Sequence, residues 1–221
     1  MQYPLSRIPV DIVDFSRRAD RTRYIVERFG PLLTDRVLDV GCDKAPLRDM
    51  LPPGAQYTGI DIGGNPDIRL NLEEADRLPF DDDAFTVVIC ADVLEHLDNL
   101  HAMFSELVRV ARRHVIVSLP NDWNTARRAI ARGSGQIAHY GLPLNPPDDR
   151  HKWFFSLSEA KAFLEAQAEL LSLSIAEMRA TEKKRPPIVR GILGLFHPSR
   201  ERYLNRYAHT LWVVLEKPQK G

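Results

Sequence analysis

This sequence predicts a doubly wound α/β fold, with a mostly parallel sheet covered by helices on both faces. Two observations predict it. Four short apolar runs rich in β-branched residues, RVLDV (36–40), QYTGID (56–61), FTVVICA (85–91) and HVIVSL (114–119), are continuous rather than alternating. Between the last two stands NLHAMFSELVRVARR (99–113), whose Leu100, Met103, Phe104, Leu107, Val108 and Ala111 share one helical face. Strands apolar on both sides need cover on both sides, and strands that alternate with amphipathic helices build a parallel sheet.

The elements follow in order. In DIVDFSRRADRTRYIVERF (11–29), Ile12, Phe15, Tyr24, Ile25 and Phe29 recur at near-helical spacing, and Gly30-Pro31 ends the pattern, so residues 1–30 read as a helical lead-in. The four strands come next. Residues 121–155 break the rhythm with Pro143, Pro146 and Pro147 among polar residues, the mark of a long connection on the substrate side, where lids are found. Ser156 with Glu159 forms a capping box that opens a helix. LLSLSIAEM (170–178) and HTLWVVLEK (209–217) then read as two late strands. Residues 183–206, between those strands, carry seven basic side chains against one acidic, Glu201, a net +6.

A chain of 221 residues accommodates a single large domain, residues 1–221, with insertions. Thirty basic and thirty acidic side chains cancel, so any affinity for nucleic acid or an anionic surface has to be local. Two cysteines, Cys42 and Cys90, are too few for a disulfide framework, and no apolar run is long enough to span a membrane. These features lead us to expect a cytoplasmic protein with no membrane span and no specific nucleic-acid partner; the oligomeric state is left open.

The first strand runs into VLDVGCDKAPL (37–47). A loop that cradles a pyrophosphate needs further glycines for close backbone approach, and Asp43 would repel phosphate. A phosphate-free, positively charged cofactor reverses that argument. Asp39 and Asp43 then face the positive end, Gly41 keeps the turn close, and Pro46 suits a first helical turn. S-adenosyl-L-methionine, with its sulfonium and ammonium, is such a cofactor.

Three stretches carry a family resemblance: VLDVGC, YTGIDIG and LPFDDDAFTVVICADVLEHL, in register over residues 35–120. Together they resemble the class I S-adenosylmethionine-dependent methyltransferases of the small-molecule type (methyltransferase type 11-like). The resemblance implies a Rossmann-like, seven-stranded sheet of order 3-2-1-4-5-7-6 with its last strand antiparallel. It also implies that Asp61, with Ile62 beside it, meets the cofactor ribose, that Asn71 or Glu74 meets the adenine with Leu72 or Ala75 as apolar cover, and that Asp92 lies at the cofactor. The chain departs from the family at Asp43 and Ala45, where glycine is usual.

Methyl transfer to a hydroxyl or amine needs a held nucleophile and a base. DVLEHL places Asp92, Glu95 and His96 at i, i+3 and i+4, one face if the stretch is helical. His96 and Glu95 are therefore candidate catalytic groups. Some cation-dependent members of the family complete a metal site at this spacing with another histidine, here His139 or His151, but the leading expectation has no metal. In HYGLPLNPPDDRHKWFFS (139–156), His151 and Arg150 are candidates to bind or deprotonate the acceptor, and Trp153 and Phe155 to anchor the loop.

The sequence therefore points to methyl transfer to the oxygen or nitrogen of a small or saccharide-like acceptor. Two alternatives stand beside it: a non-catalytic binding module, and a methyltransferase whose basic 183–206 segment takes an anionic lipid-linked or RNA substrate.

Overall fold

The computed structural model describes residues 4–15, 18–137, 139–140, 149–197 and 199–219. Its centre is one eight-stranded sheet. The strands are β1 (Val10–Val13), β2 (Arg36–Val40), β3 (Gln56–Asp61), β4 (Ile68–Arg69), β5 (Phe85–Ala91), β6 (Ala111–Pro120), β7 (Ser174–Lys183) and β8 (Ala208–Glu216), in the spatial order β1-β7-β8-β6-β5-β2-β3-β4. Only β8 runs antiparallel to its neighbours, β6 and β7. From β2 onward this is the 3-2-1-4-5-7-6 order expected from the sequence, and β1 adds an eighth strand at the β7 edge.

The continuous apolar runs are explained by what lies on each face. In β5, Val87 and Ile89 pack with Tyr24, Phe29, Leu33 and Trp212 beneath helix α1 (Arg18–Phe29). Their neighbours Val88 and Cys90 enter the opposite layer with Phe104 and Leu107 of α2 (Leu100–Val110) and Leu164 of α4 (Leu157–Leu170). Side chains alternate across a strand, so only a run without polar interruption serves two covered faces. The capping box is present as read: the Ser156 hydroxyl accepts from Glu159 N–H and the Glu159 carboxylate from Ser156 N–H.

Four boundaries differ from the sequence reading. Residues 10–13 form β1 rather than helix, because the edge of β7 offers them a parallel backbone ladder from Ala180 to Lys183. The helix predicted over 99–113 ends at Val110, and Ala111–Arg113 already belong to β6. The first third of the predicted long connection is helix α3 (Asp122–Arg132), closed by Gly133 in the left-handed conformation, and its three prolines fall outside the described residues. α4 continues to Leu170, so the late strand starts at Ser174 rather than 170. The 183–206 segment folds as two helices, α5 (Pro187–Phe196) and α6 (Arg200–Tyr207).

β1 and α1 are tied to the sheet through one carboxylate. Asp11 accepts from the Tyr24 hydroxyl at 2.8 Å and from Arg179 at 2.6 Å. Replacing Asp11 with Ala strands the Tyr24 hydroxyl, while Arg179 keeps Glu177 at 2.7 Å, and urea denaturation should show a loss of about 1–3 kcal/mol. Combined with Tyr24→Phe, the double variant should lose less than the sum of the two single changes.

Candidate active site

Two loops at the carboxyl ends of β2 and β3 pack directly on each other. Asp61, the last residue of β3, accepts from the backbone N–H of Asp43 at 2.8 Å with one carboxylate oxygen and from Gly63 at 2.9 Å with the other. The Asp43 carbonyl in turn accepts from Asn65 N–H at 2.6 Å. Gly64 lies so close to this backbone that an added Cβ would stand 2.0 Å from the Asp43 oxygen. Gly41, at φ +77°, likewise has no room, since a Cβ there would meet a Val93 methyl at 2.2 Å.

Asp43 and Ala45 keep the left-handed backbone that a glycine would adopt freely, at φ +49° and +53°. For an L-residue that conformation costs about 1–2 kcal/mol. The close approach that excludes a side chain falls on Gly64, in the second loop. The glycine requirement at the contact is therefore met from the other side of it. Sequence reading passed over Gly64, although the Gly63-Gly64 pair directly after a strand was the available signal.

Beneath these loops, α1 closes a narrow cleft. Arg21, Thr22 and Ile25 face Asp39, Gly41, Cys42, Asp43 and Pro46 across a volume of about 70 Å³. Burial pushes the Asp39 carboxyl up to about 6 and the Asp61 charge adds to the rise, while the Tyr57 hydroxyl, donating at 2.9 Å, opposes it. Asp92 bonds to Arg21 at 2.8 Å and accepts from the Ser118 hydroxyl. It sits at φ +52° before a short 3₁₀ turn, Leu94–His96. The helix that would have put Asp92, Glu95 and His96 on one face is therefore absent: Asp92 turns to the cleft, and Glu95 joins the histidines.

Glu95 is 1% exposed, and among the described residues neither of its oxygens has a hydrogen-bond partner. Burial, reinforced by the charge of Asp92, holds its carboxyl well above the usual carboxylate range. Each of Glu95, His96 and His151 offers one ligand atom within 4.8 Å of the others. The His96 ring lies 4.6 Å from that of His151, which stacks on His139 at 4.1 Å. His96 Nδ1 faces the Arg150 carbonyl at 3.2 Å and His151 Nδ1 faces the Asp122 carboxylate at 3.1 Å; both partners are acceptors, so each ring donates from Nδ1. Burial, then the neighbouring His151, holds His96 below its usual value.

Asp122, itself 3% exposed, was missed by sequence reading. Its position directly after β6, in the PND run, was the only signal. The anchoring of the 149–156 loop agrees with the sequence reading: Trp153 donates to the Leu97 carbonyl at 2.7 Å, Phe155 is buried, and Lys152 bridges Glu73 and Asp98. Arg150 enters the site through its carbonyl. In the predicted adenine region Leu72 is buried, the Asn71 side chain caps Glu73 N–H, Ala75 packs on the core and Glu74 points to solvent. Ile62 is 62% exposed beside Asp61.

With this geometry established, residues 38–119 match the family model of a methyltransferase domain. Over residues 38–119 the chain is thus similar to a methyltransferase domain, and its sheet has the fold of solved S-adenosylmethionine-dependent methyltransferases. Among curated relatives, the ubiquinone biosynthesis O-methyltransferase of Vibrio cholerae serotype O1 is 30% identical over 118 residues, 46% of this chain and 48% of that protein. The chain thus spans about half the length of the curated relatives it first matches. Among solved structures, an S-adenosylmethionine-dependent methyltransferase from Archaeoglobus fulgidus superposes with a TM-score of 0.58 at 14% identity, covering 92% of this chain and 96% of that one. The magnesium protoporphyrin IX methyltransferase of Synechocystis PCC 6803, solved with bound S-adenosylhomocysteine, gives a TM-score of 0.52 at 19% identity, covering 92% of this chain and 88% of that one.

S-adenosyl-L-methionine is the cofactor of this family, and the residues of the cleft fit it in charge. Asp39 and Asp43 place two carboxyls at the cleft, and Asp61, outside its lining, uses two of its roughly four acceptor sites on backbone N–H groups. The cleft is well below the roughly 300–1,000 Å³ typical of small-molecule sites. The Arg21–Asp92 ion pair, at 2.8 Å, ties α1 to the turn after β5 beside it.

The loop geometry can be tested without cofactor. Ala45→Gly exchanges relief of left-handed strain for loss of a buried methyl worth about 0.8 kcal/mol, so its stability should stay within about 1 kcal/mol of the parent. Ala45→Val, β-branched in the same conformation, should lose about 2 kcal/mol or more by chemical denaturation.

Proposed function

We propose that this protein transfers a methyl group from S-adenosyl-L-methionine to the oxygen or nitrogen of a small or saccharide-like acceptor. The carrying observation is the pair of imidazoles, His96 and His151, each engaged through Nδ1 and with rings 4.6 Å apart. The cofactor supplies an activated methyl on a sulfonium. Asp39 and Asp61 would hold its positive end and ribose, and α1 would exclude water once closed. His151, oriented by Asp122, would take the acceptor's proton at Nε2, and Asp122 would balance the resulting imidazolium. Glu95, buried against both rings, would help hold them in place for the in-line transfer. The matched ubiquinone O-methyltransferases act, by their name, at oxygen, which supports oxygen over nitrogen.

Incubation of the protein with methyl-labelled cofactor and fractionated small-molecule extracts should give transfer that depends on His151. His151→Asn should slow it about 10²–10⁴-fold, and transfer that is unchanged in that variant would overturn the assignment.

A second reading has its own support. The two unpartnered oxygens of Glu95, with His96 and His151 in reach, make a donor set for a divalent cation. As a proton-transfer site, the protein should keep its activity after dialysis against EDTA, and Glu95→Gln, which preserves a hydrogen-bonding group, should change kcat by less than about tenfold. Loss in EDTA with recovery on adding a divalent cation identifies the metal reading instead.

A further inference from the structure

Outside the site, one surface has no role in the chemistry above. Helix α5 buries none of its residues. Ile188 is 77% exposed, Leu195 83% and Phe196 76%, with Val189 and Ile192 also exposed. Arg190 is its one charged residue, whereas basic side chains crowd both ends: Lys183, Lys184 and Arg185 before it, and Arg200, Arg202 and Arg206 after it. The apolar helix thus lies within a basic rim, and its ten residues are too few to cross a bilayer. No helix among the described residues is long and apolar enough to do so.

The end of α5 opens onto a groove of about 630 Å³ whose lining includes Phe196, Trp123, Arg127, Arg202 and Arg206. From Trp123 a row of rings leads inward: Trp123 to Phe154 at 5.4 Å, Phe154 to Tyr140 at 4.9 Å, and Tyr140 to His151 at 5.5 Å. The exposed helix face and the groove wall at Trp123 are thus joined by a chain of ring contacts to the candidate base, in a groove that Ser156, Glu159 and Asn205 also line.

From this continuity and the charge around it, we propose that α5 lies in the interfacial layer of an anionic lipid membrane, and that the groove receives the chain of a lipid-borne acceptor whose head reaches His151. Five exposed apolar side chains on one short helix bind by burial among acyl chains, and a surrounding basic rim adds attraction to anionic headgroups. A second copy of this chain docking by the same face would bring two basic rims together, which repel. A nucleic acid would use the rim and leave the apolar residues in water. The second half of the proposal rests on the methyl-transfer reading; the first half does not.

Co-sedimentation of the full chain with sucrose-loaded vesicles tests it, using phosphatidylcholine alone and phosphatidylcholine with about one third phosphatidylglycerol. The anionic vesicles should bind at least about tenfold more protein, and raising the salt should reduce this binding. Leu195→Asp with Phe196→Asp should lower it about tenfold or more while leaving the circular dichroism spectrum and cofactor affinity unchanged. Equal pelleting of parent and variant, or no pelleting with either vesicle, overturns the membrane assignment. So does a dimer in sedimentation velocity that the two aspartates dissociate, or binding to RNA that they leave intact. If vesicle binding behaves as described but methyl transfer to soluble acceptors outpaces transfer to vesicle-borne ones, the groove assignment fails while the surface assignment stands.

Discussion

The contact between the loops after β2 and β3 is the constraint on which the rest depends. Asp61 accepts one backbone N–H from each loop, and Gly64 lets the Asp43 backbone come close enough for that pairing. Without it, Asp43 and Ala45 would have no reason to stay in a conformation that costs each of them free energy. Holding them there fixes where Asp39 and Gly41 face the cleft. The carboxylate proposed to meet the ribose thus belongs to the frame as well as to the site. Any change at Asp61 therefore acts on loop geometry and on ligand contact together.

A second constraint operates on the far side of the cleft. The backbone N–H groups of Lys152 and Trp153 both donate to the Glu95 carbonyl, and Phe155 N–H donates to the Asp122 carboxylate. The loop carrying His151 is in this way stitched to the turn carrying His96 and to the start of α3. Burial then acts on the two groups in opposite directions, pushing the Glu95 carboxyl up and His96 down, while Asp122 holds the His151 ring through Nδ1.

The sheet was legible in the sequence because each central strand is apolar at consecutive positions, and only double cover explains that pattern. The capping box at Ser156 and the anchoring by Trp153 and Phe155 were legible for similar local reasons. β1 was not, since Val10–Val13 become a strand only through the ladder offered by β7, more than 160 residues away. The site divides along the same line. Asp39, Gly41, Asp61, Glu95, His96 and His151 carry recognisable chemistry in recognisable stretches. Gly64 and Asp122 matter because of what folds against them, the first at Asp43 and the second at His151 and Phe155, and neither contact is local in sequence. The face of Asp92 was misread for a third reason: a left-handed residue and a 3₁₀ turn replace the helix that its spacing to Glu95 and His96 suggests.

The central claim is that a glycine-poor loop, held by Asp61 and Gly64, still forms a working cofactor cleft. Calorimetric titration of the full chain with S-adenosylhomocysteine, run beside Asp61→Asn, tests it most directly. The account predicts saturable binding of one equivalent to the parent, and affinity at least about tenfold weaker in the variant, which keeps one acceptor oxygen and loses the charge. No binding heat at about 1 mM ligand, or equal affinity in parent and variant, would contradict it.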